Sequence, residues 1–195
     1  FLVVESTLDQ LDTTQHQFDC IVSPANSYGI MDGGIDYYLS TAFSPSKDIM
    51  ALTRLVQSAI KSRYYGFAPP GSCILVPELP SNRFACKIIA VCPTMRLPTE
   101  LQWHKDIVYN TMWALLVEIE RWNEAAHDSD NKIKKVLMTG FGTGVGRIAP
   151  DVCAQQMALA VKHFLAVRSE DGKEKWARND YPSWNDVLSA AKEVF

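Results

Sequence analysis

Residues Phe18–Ser40 read FDCIVSPANSYGIMDGGIDYYLS, and the fold follows from how this stretch changes character along its length. Cys20-Ile21-Val22 is a short apolar run of the kind a buried strand makes. It empties into a loop carrying the amide Asn26, the glycines Gly29, Gly33 and Gly34, and the carboxylates Asp32 and Asp36. Ile35, Tyr38, Leu39 and Ala42 then recur at helical spacing, which predicts a helix over 34–42. Strand, glycine-bearing loop and helix start, in that order, is where α/β proteins hold anionic ligands. Glycine admits close approach of the main chain, and unbonded helix N–H groups point at negative charge. A second glycine-rich run, Gly140-Phe-Gly-Thr-Gly-Val-Gly146, follows the strand candidate Val136–Thr139. Two such loops predict a cleft that grips a phosphate-bearing ligand from both sides. Asp32 also reads as the helix N-cap, with Asp36 in the first turn where negative charge suits the dipole.

Working outward, Leu2–Val4 reads as a first strand, and Cys73–Val76 and Lys87–Val91 as two more, separated by polar turn residues. Ser46 reads as the N-cap of a helix through about Arg63. A long amphipathic helix is predicted from about Leu101 to Asn123, with Ile107, Met112, Leu115, Leu116 and Ile119 inward. Pro150 opens another, to about Val167, with Val152, Met157, Val161, Phe164 and Leu165 inward. Residues 169–180 read as a polar loop, and Ser183 caps a C-terminal helical extension over 183–195. Strands alternating with helices predict a three-layer α/β/α sandwich around a mixed, largely parallel sheet, as a single domain over 1–195.

Composition narrows the function classes. With 195 residues, 47% hydrophobic and 21% charged, the chain has the make-up of an ordinary globular domain. A net charge of −3 with no basic stripe argues against duplex nucleic acid as a partner. An anionic ligand is then held by local donors. No run reaches the roughly 20 apolar residues of a membrane span, so no membrane partner is expected. Cys20, Cys73, Cys86, Cys92 and Cys153 form no CxxC pair and read as buried thiols of an intracellular protein, cytoplasmic or nuclear. The four histidines His16, His104, His127 and His163 form no metal-binding motif, so neither a metal nor another cofactor is expected. Trp103, Trp113 and Trp122, at helical spacings, read as packing residues and not as nucleobase platforms.

Ser23-Pro24-Ala25-Asn26-Ser27 followed by Gly33-Gly34-Ile35-Asp36 resembles the first signature of the macrodomains, which bind ADP-ribose. Gly142-Thr143-Gly144-Val145-Gly146 resembles their second signature, the loop that wraps the pyrophosphate. The order of the intervening strands agrees, so the resemblance covers roughly residues 1–167. Pro93-Thr94-Met95-Arg96 and the form of loop two are similar to the subgroup that processes ADP-ribose 1''-phosphate.

The resemblance implies roles. Asn26, beside Ala25, bonds the distal ribose; Gly33, Gly34 and Ile35 shape the loop beside the diphosphate; Asp36 positions or activates the attacking water. The N–H groups of Thr143, Gly144, Val145 and Gly146 cradle the phosphates as a nest, and Glu5 is the nearest candidate for the adenine contact. Phe141, between loop glycines at a strand end, is a candidate cleft-lining residue, and Arg147 reads equally as a phosphate partner or an exposed salt bridge. Two departures stand out: Met31 and Asp32 replace glycines of the family's run, and Gly146 stands where many members place an aromatic ring.

The expected function is a hydrolase that removes a substituent from the distal ribose of ADP-ribose: a 1''-phosphate, an O-acetyl ester or an ADP-ribosylated protein side chain. The expected partners are ADP-ribose or a derivative and an ADP-ribosylated protein. The alternatives are a non-catalytic reader of ADP-ribose and a scaffold whose cleft takes another nucleotide.

Overall fold

The computed structural model describes residues 1–12, 17–44, 48–80, 82–101, 103–178 and 182–194. Four strands, β1 (Cys20–Ser23), β2 (Ile74–Val76), β3 (Ile88–Val91) and β4 (Val136–Leu137), form one sheet in the order β2-β3-β1-β4. β1 runs parallel to β3, from Cys20↔Ile88 to Ser23↔Val91, and parallel to β4 through Cys20↔Val136 and Ile21↔Leu137. β2 is antiparallel to β3, so the sheet is mixed, as expected.

Because side chains alternate across a strand, the sheet feeds two cores. Ile21, Ile74, Val76, Ile89 and Val91 pack against α1 (Gly34–Ala42) and α2 (Ala51–Tyr64). Cys20, Val22, Ile88 and Ala90 pack on the other face, against α3 (Ile107–Ala125) and α4 (Pro150–Arg168). The α/β/α layering follows from that alternation. All five cysteines are buried and free, and among the described residues no helix is long and apolar enough to cross a membrane.

Several expectations need correction. Leu2–Val4 form no strand; Val3 is 93% exposed, since three apolar residues without a partner strand cannot bury their polar main chain. The expected N-cap Ser46 lies outside the described residues, and the helix there begins at Ala51. α3 starts at Ile107, six residues later than its pattern suggests, because the segment before it bonds elsewhere: Leu101 N–H donates to Gly146 O (3.0 Å) and Lys105 O accepts from Gln156 Nε2. In α4 the buried residues are Cys153, Gln156 and Ala160, while Val152 and Leu165 are exposed. Gln156 turns inward there because its Oε1 accepts from Tyr109 N–H (3.2 Å) and its Nε2 donates to Lys105 O.

The expected loop over 169–180 contains a helix, α5 (Glu170–Ala177). α6 (Trp184–Val194) follows and opens with a reciprocal cap. Ser183 N–H donates to Asp186 Oδ2 (2.8 Å), and Asp186 N–H donates to Ser183 Oγ (3.3 Å). Lys162 of α4 holds α6 through Glu193 at 2.6 Å.

Candidate functional site

Since β1, β3 and β4 are parallel, the loops that follow them leave the same edge of the sheet, where open α/β sheets gather their ligands. β1 lies between the other two. Loop one (24–33) therefore emerges with the β3–α3 segment on one side and loop two (138–149) on the other.

The first junction is an extended ladder. Cys92 N–H donates to Ser23 O (2.9 Å), Thr94 N–H to Ala25 O (3.1 Å) and Ser27 N–H to Met95 O (2.9 Å). The second junction is made when the β3–α3 segment crosses to loop two. Besides the Leu101–Gly146 bond, Glu100 pairs with Arg147 at 2.7 Å. The three segments form one continuous rim.

Loop one is pinned through the residue that replaces a glycine. Met31 is buried; its N–H donates to Thr53 Oγ1 (3.1 Å) and its carbonyl accepts from Ser40 Oγ (2.6 Å). Asn26 folds back on its own loop. Its Oδ1 accepts from the N–H groups of Tyr28 (3.1 Å) and Ile30 (3.3 Å), and its Nδ2 donates to Ile30 O (2.7 Å). That leaves one amide proton of Asn26 for a ligand. Ala25 is buried beneath the loop.

The N-cap of α1 is Gly33, without a side-chain cap, and not Asp32, which is exposed. Gly34 adopts φ +56, which starts the helix one residue later than an Asp32 cap requires. As a result the N–H groups of Gly33, Gly34 and Ile35 donate to no acceptor among the described residues. They are the orphan donors of a helix start, exposed except for half-buried Ile35.

Asp36 turns inward from that first turn. It is only 6% exposed and accepts from Ser23 Oγ at 2.6 Å. Burial pushes its carboxyl up to about 6; the Ser23 hydroxyl partly offsets this, and the nearby Asp32 charge adds to it. Such a group exchanges its proton close to neutral pH. Ser23, the partner that orients it, escaped the sequence reading although it sits inside the quoted motif.

Loop two closes tightly on itself. Ile148 N–H donates to Gly142 O (3.0 Å), Arg147 N–H to Gly144 O (3.0 Å), and Thr143 Oγ1 to Gly140 O (3.3 Å). The N–H groups of Gly144, Val145 and Gly146 donate to no acceptor among the described residues. Here lies the reason for glycine at 146. A Cβ there would sit 2.5 Å from Gly142 O and 2.8 Å from Leu101 Cδ1, so neither an aromatic ring nor a methyl fits this closure. We expect Gly146→Ala to cost about 2 kcal/mol of stability by overpacking, read as a lower unfolding midpoint in urea.

The remaining candidates lie apart from this edge surface. Phe141 is fully buried in the core between the sheet and α3/α4. Glu5 is exposed, three residues before Leu8. The Leu8 carbonyl accepts from Arg83 Nη2 (3.0 Å), and Asp9 pairs with Arg83 at 2.8 Å. Arg83 lies in the turn leading into β3, so this anchor holds the N-terminal segment at the opposite edge of the sheet.

Two cavities open on the loop-two side. One, of about 660 Å³, is lined by Thr99, Glu100, Trp103, Val145 and Arg147. The second, of about 420 Å³, lies between loop two, His104, Lys105 and Val194. Trp103 is 92% exposed, contrary to its reading as a packing residue. Trp113, by contrast, does pack, stacked on Tyr109 and edge-on to Phe164. Trp122 donates its Nε1–H to Asn131 O (2.8 Å).

No family model and no curated protein matches the chain. Solved structures do. The macrodomain of Mycobacterium tuberculosis DarG superposes with a TM-score of 0.60 at 17% identity, covering 83% of this chain and 89% of that one. The Oceanobacillus iheyensis macrodomain with ADP gives 0.58 at 16% identity, covering 77% and 72%. A Gly-to-Val variant of the same protein with ADPR gives 0.57 at 14%, covering 77% and 73%. Likeness at such identities is a likeness of architecture, and it agrees with the sheet order, the layering and the loop edge described above: the chain has the macrodomain fold.

Proposed function

We propose that the protein binds ADP-ribose or a derivative of it at the rim formed by loops one and two, and that it hydrolyses a substituent on the distal ribose. The observation that carries this reading is the pair of unengaged main-chain donor rows, Gly33–Ile35 and Gly144–Gly146, on loops that leave one edge of the sheet. Two rows of N–H groups suit a diphosphate, which offers acceptor oxygens on both phosphorus atoms. They do so without a cationic field, in keeping with the net charge of −3.

Relatives in fold support the ligand. Structures of the Oceanobacillus macrodomain contain ADP or ADPR, and Asp-to-Ala and Asn-to-Ala variants of that protein have also been solved. In that protein the substituted Asn, Gly and Asp follow one another at intervals of seven and three residues. Asn26, Gly33 and Asp36 repeat those intervals.

Asp36 supports hydrolysis. A carboxylate that exchanges its proton near neutral pH takes a proton from water as the oxygen attacks the distal centre, and returns it to the departing group as the bond between that group and the centre breaks, while the main-chain donors hold the diphosphate still. A reader without turnover is the second reading, favoured by the depth of Asp36 and by the engagement of Asn26 with its own loop. Calorimetry with ADP-ribose tests binding. Incubation with ADP-ribose 1''-phosphate and with mono-ADP-ribosylated protein then separates the readings. We expect turnover of one of them, lowered at least 100-fold in Asp36→Ala; binding with no turnover of either substrate would leave the reader.

A further inference from the structure

We infer that α6 is a strap for loop two: docked on α4 it braces the loop, and a ligand that orders the loop holds the strap down in return. The juxtaposition lies at the C-terminal end of the helix. Val194, half-buried, walls the cavity of about 420 Å³ whose other sides include Gly146, Arg147 and Ile148 of loop two. One residue earlier, Glu193 is clasped by α4. Its Oε2 accepts from Lys162 Nζ at 2.6 Å and lies 3.4 Å from His163 Nε2. The hydrogen bonds from Lys162 and then from His163 hold the Glu193 carboxyl below its ordinary range, so the clasp carries a full negative charge at neutral pH.

The clasp is joined to the same cavity. Tyr109 Oη lies 3.0 Å from His163 Nδ1; with its proton on Nε2, the ring accepts from Tyr109 and donates to Glu193. Tyr109 N–H donates to Gln156 Oε1 (3.2 Å), and Gln156 Nε2 donates to Lys105 O. Gln156, Lys105 and Leu101 all line the cavity, and Leu101 N–H bonds loop two at Gly146 O. Polar contacts therefore run from α6 through α4 and α3 to the segment that fastens loop two.

Elsewhere α6 is held lightly. Trp184, Val187 and Leu188 of its N-terminal half are exposed, and none of its described residues is fully buried. An ion pair between exposed side chains is a weak fastening, and an element with few buried apolar contacts opens at low cost. The helix is thus a two-state element, docked or released, and only the docked state gives loop two its Val194 wall. Coupling of this kind is reciprocal.

The ligand half of the inference rests on the reading of loop two as part of the ADP-ribose site, so the experiment has a ligand-free arm. Amide hydrogen exchange is followed by NMR in the native full chain, in Glu193→Lys and in the charge-reversed pair Lys162→Glu/Glu193→Lys. The reporters are the amides of α6 and those of Arg147 and Ile148, which bond Gly144 O and Gly142 O. Glu193→Lys is expected to speed both sets about fivefold, and the reversed pair to restore both. ADP-ribose then slows α6 exchange in the native chain and binds about fivefold more weakly to Glu193→Lys.

Faster exchange in α6 with no change at Arg147 and Ile148 overturns the inference, as does unchanged exchange in α6. A reversed pair that behaves like Glu193→Lys overturns it too, since the clasp would then not be the fastening. Equal ADP-ribose affinity in the native chain and Glu193→Lys overturns the coupling and leaves the binding proposal standing. Failure of ADP-ribose to bind the native chain removes the binding proposal, and the ligand-free exchange alone then decides whether α6 braces the loop.

Discussion

Asp36→Asn is expected to stabilise the folded protein by up to about 3 kcal/mol at pH 8 and by almost nothing at pH 3.5. Burial raises the carboxyl from its ordinary 3.8 to about 6. Below 3.8 both the folded and unfolded chains hold the proton, and burial of the neutral acid carries no charge penalty. Between 3.8 and about 6 the unfolded chain has released its proton while the folded chain keeps it. Stability therefore falls as pH rises through this window. Above about 6 the ionised group is buried and the full cost is present.

A shift of about two pH units corresponds to roughly 3 kcal/mol. Asparagine is neutral at every pH and still accepts from the Ser23 hydroxyl, so it removes the penalty. For a chain of this size the gain amounts to roughly 6–12 °C in Tm. Unfolding of both proteins, followed from pH 3.5 to 8, checks this. Parallel stability curves would show that the carboxylate is not the source of the cost. A group that destabilises the fold at working pH is what a functional requirement leaves behind, which ties this result to the turnover assay.

Gly144→Val is expected to weaken ADP-ribose binding about 100-fold while leaving the unfolding midpoint within about 0.5 kcal/mol of the native chain. A Cβ at Gly144 meets nothing within 4 Å, and its φ is not in the left-handed region, so the folded state accepts a side chain there. The added methyl groups stand over the N–H groups of Gly144 and Val145 and hold a phosphate away from them. Hydrogen bonds to charged groups contribute about 1.5–3 kcal/mol each, and loss of about 2.7 kcal/mol is a hundredfold in Kd. Gly146→Ala is the informative contrast. Its Cβ would collide with Gly142 O, so it lowers stability as well as affinity. Calorimetry and urea unfolding on the pair distinguish a blocked site from a broken loop. Undiminished binding in Gly144→Val would remove loop two from the site.

The strand β1, the helix α1 and both glycine loops were legible because each is a local pattern. Ile21 and Leu39 announce their elements through spacing, and glycines mark turns wherever they occur. Less was legible where a residue's fate depends on a distant partner. Leu2–Val4 have a strand's composition, yet the sheet ends at β2 and β4. Leu101 looks like the start of a helix, but its N–H is taken by Gly146. Asp32 and Gly33 compete to cap α1, and the φ of Gly34 decides between them.

By itself, then, the sequence determined an α/β chain with two glycine-rich loops and an acidic residue at the head of a helix, since periodicity and turn chemistry act over a few residues. Only the tertiary structure decided that Asp36 is buried against Ser23, that Phe141 belongs to the core, and that Trp103 stands in water beside loop two. Burial and charge are set by what the rest of the chain brings alongside, and segments more than a hundred positions apart along the chain, such as those of Asp36 and Val145, are released at the same edge of the sheet only because β1 and β4 run parallel.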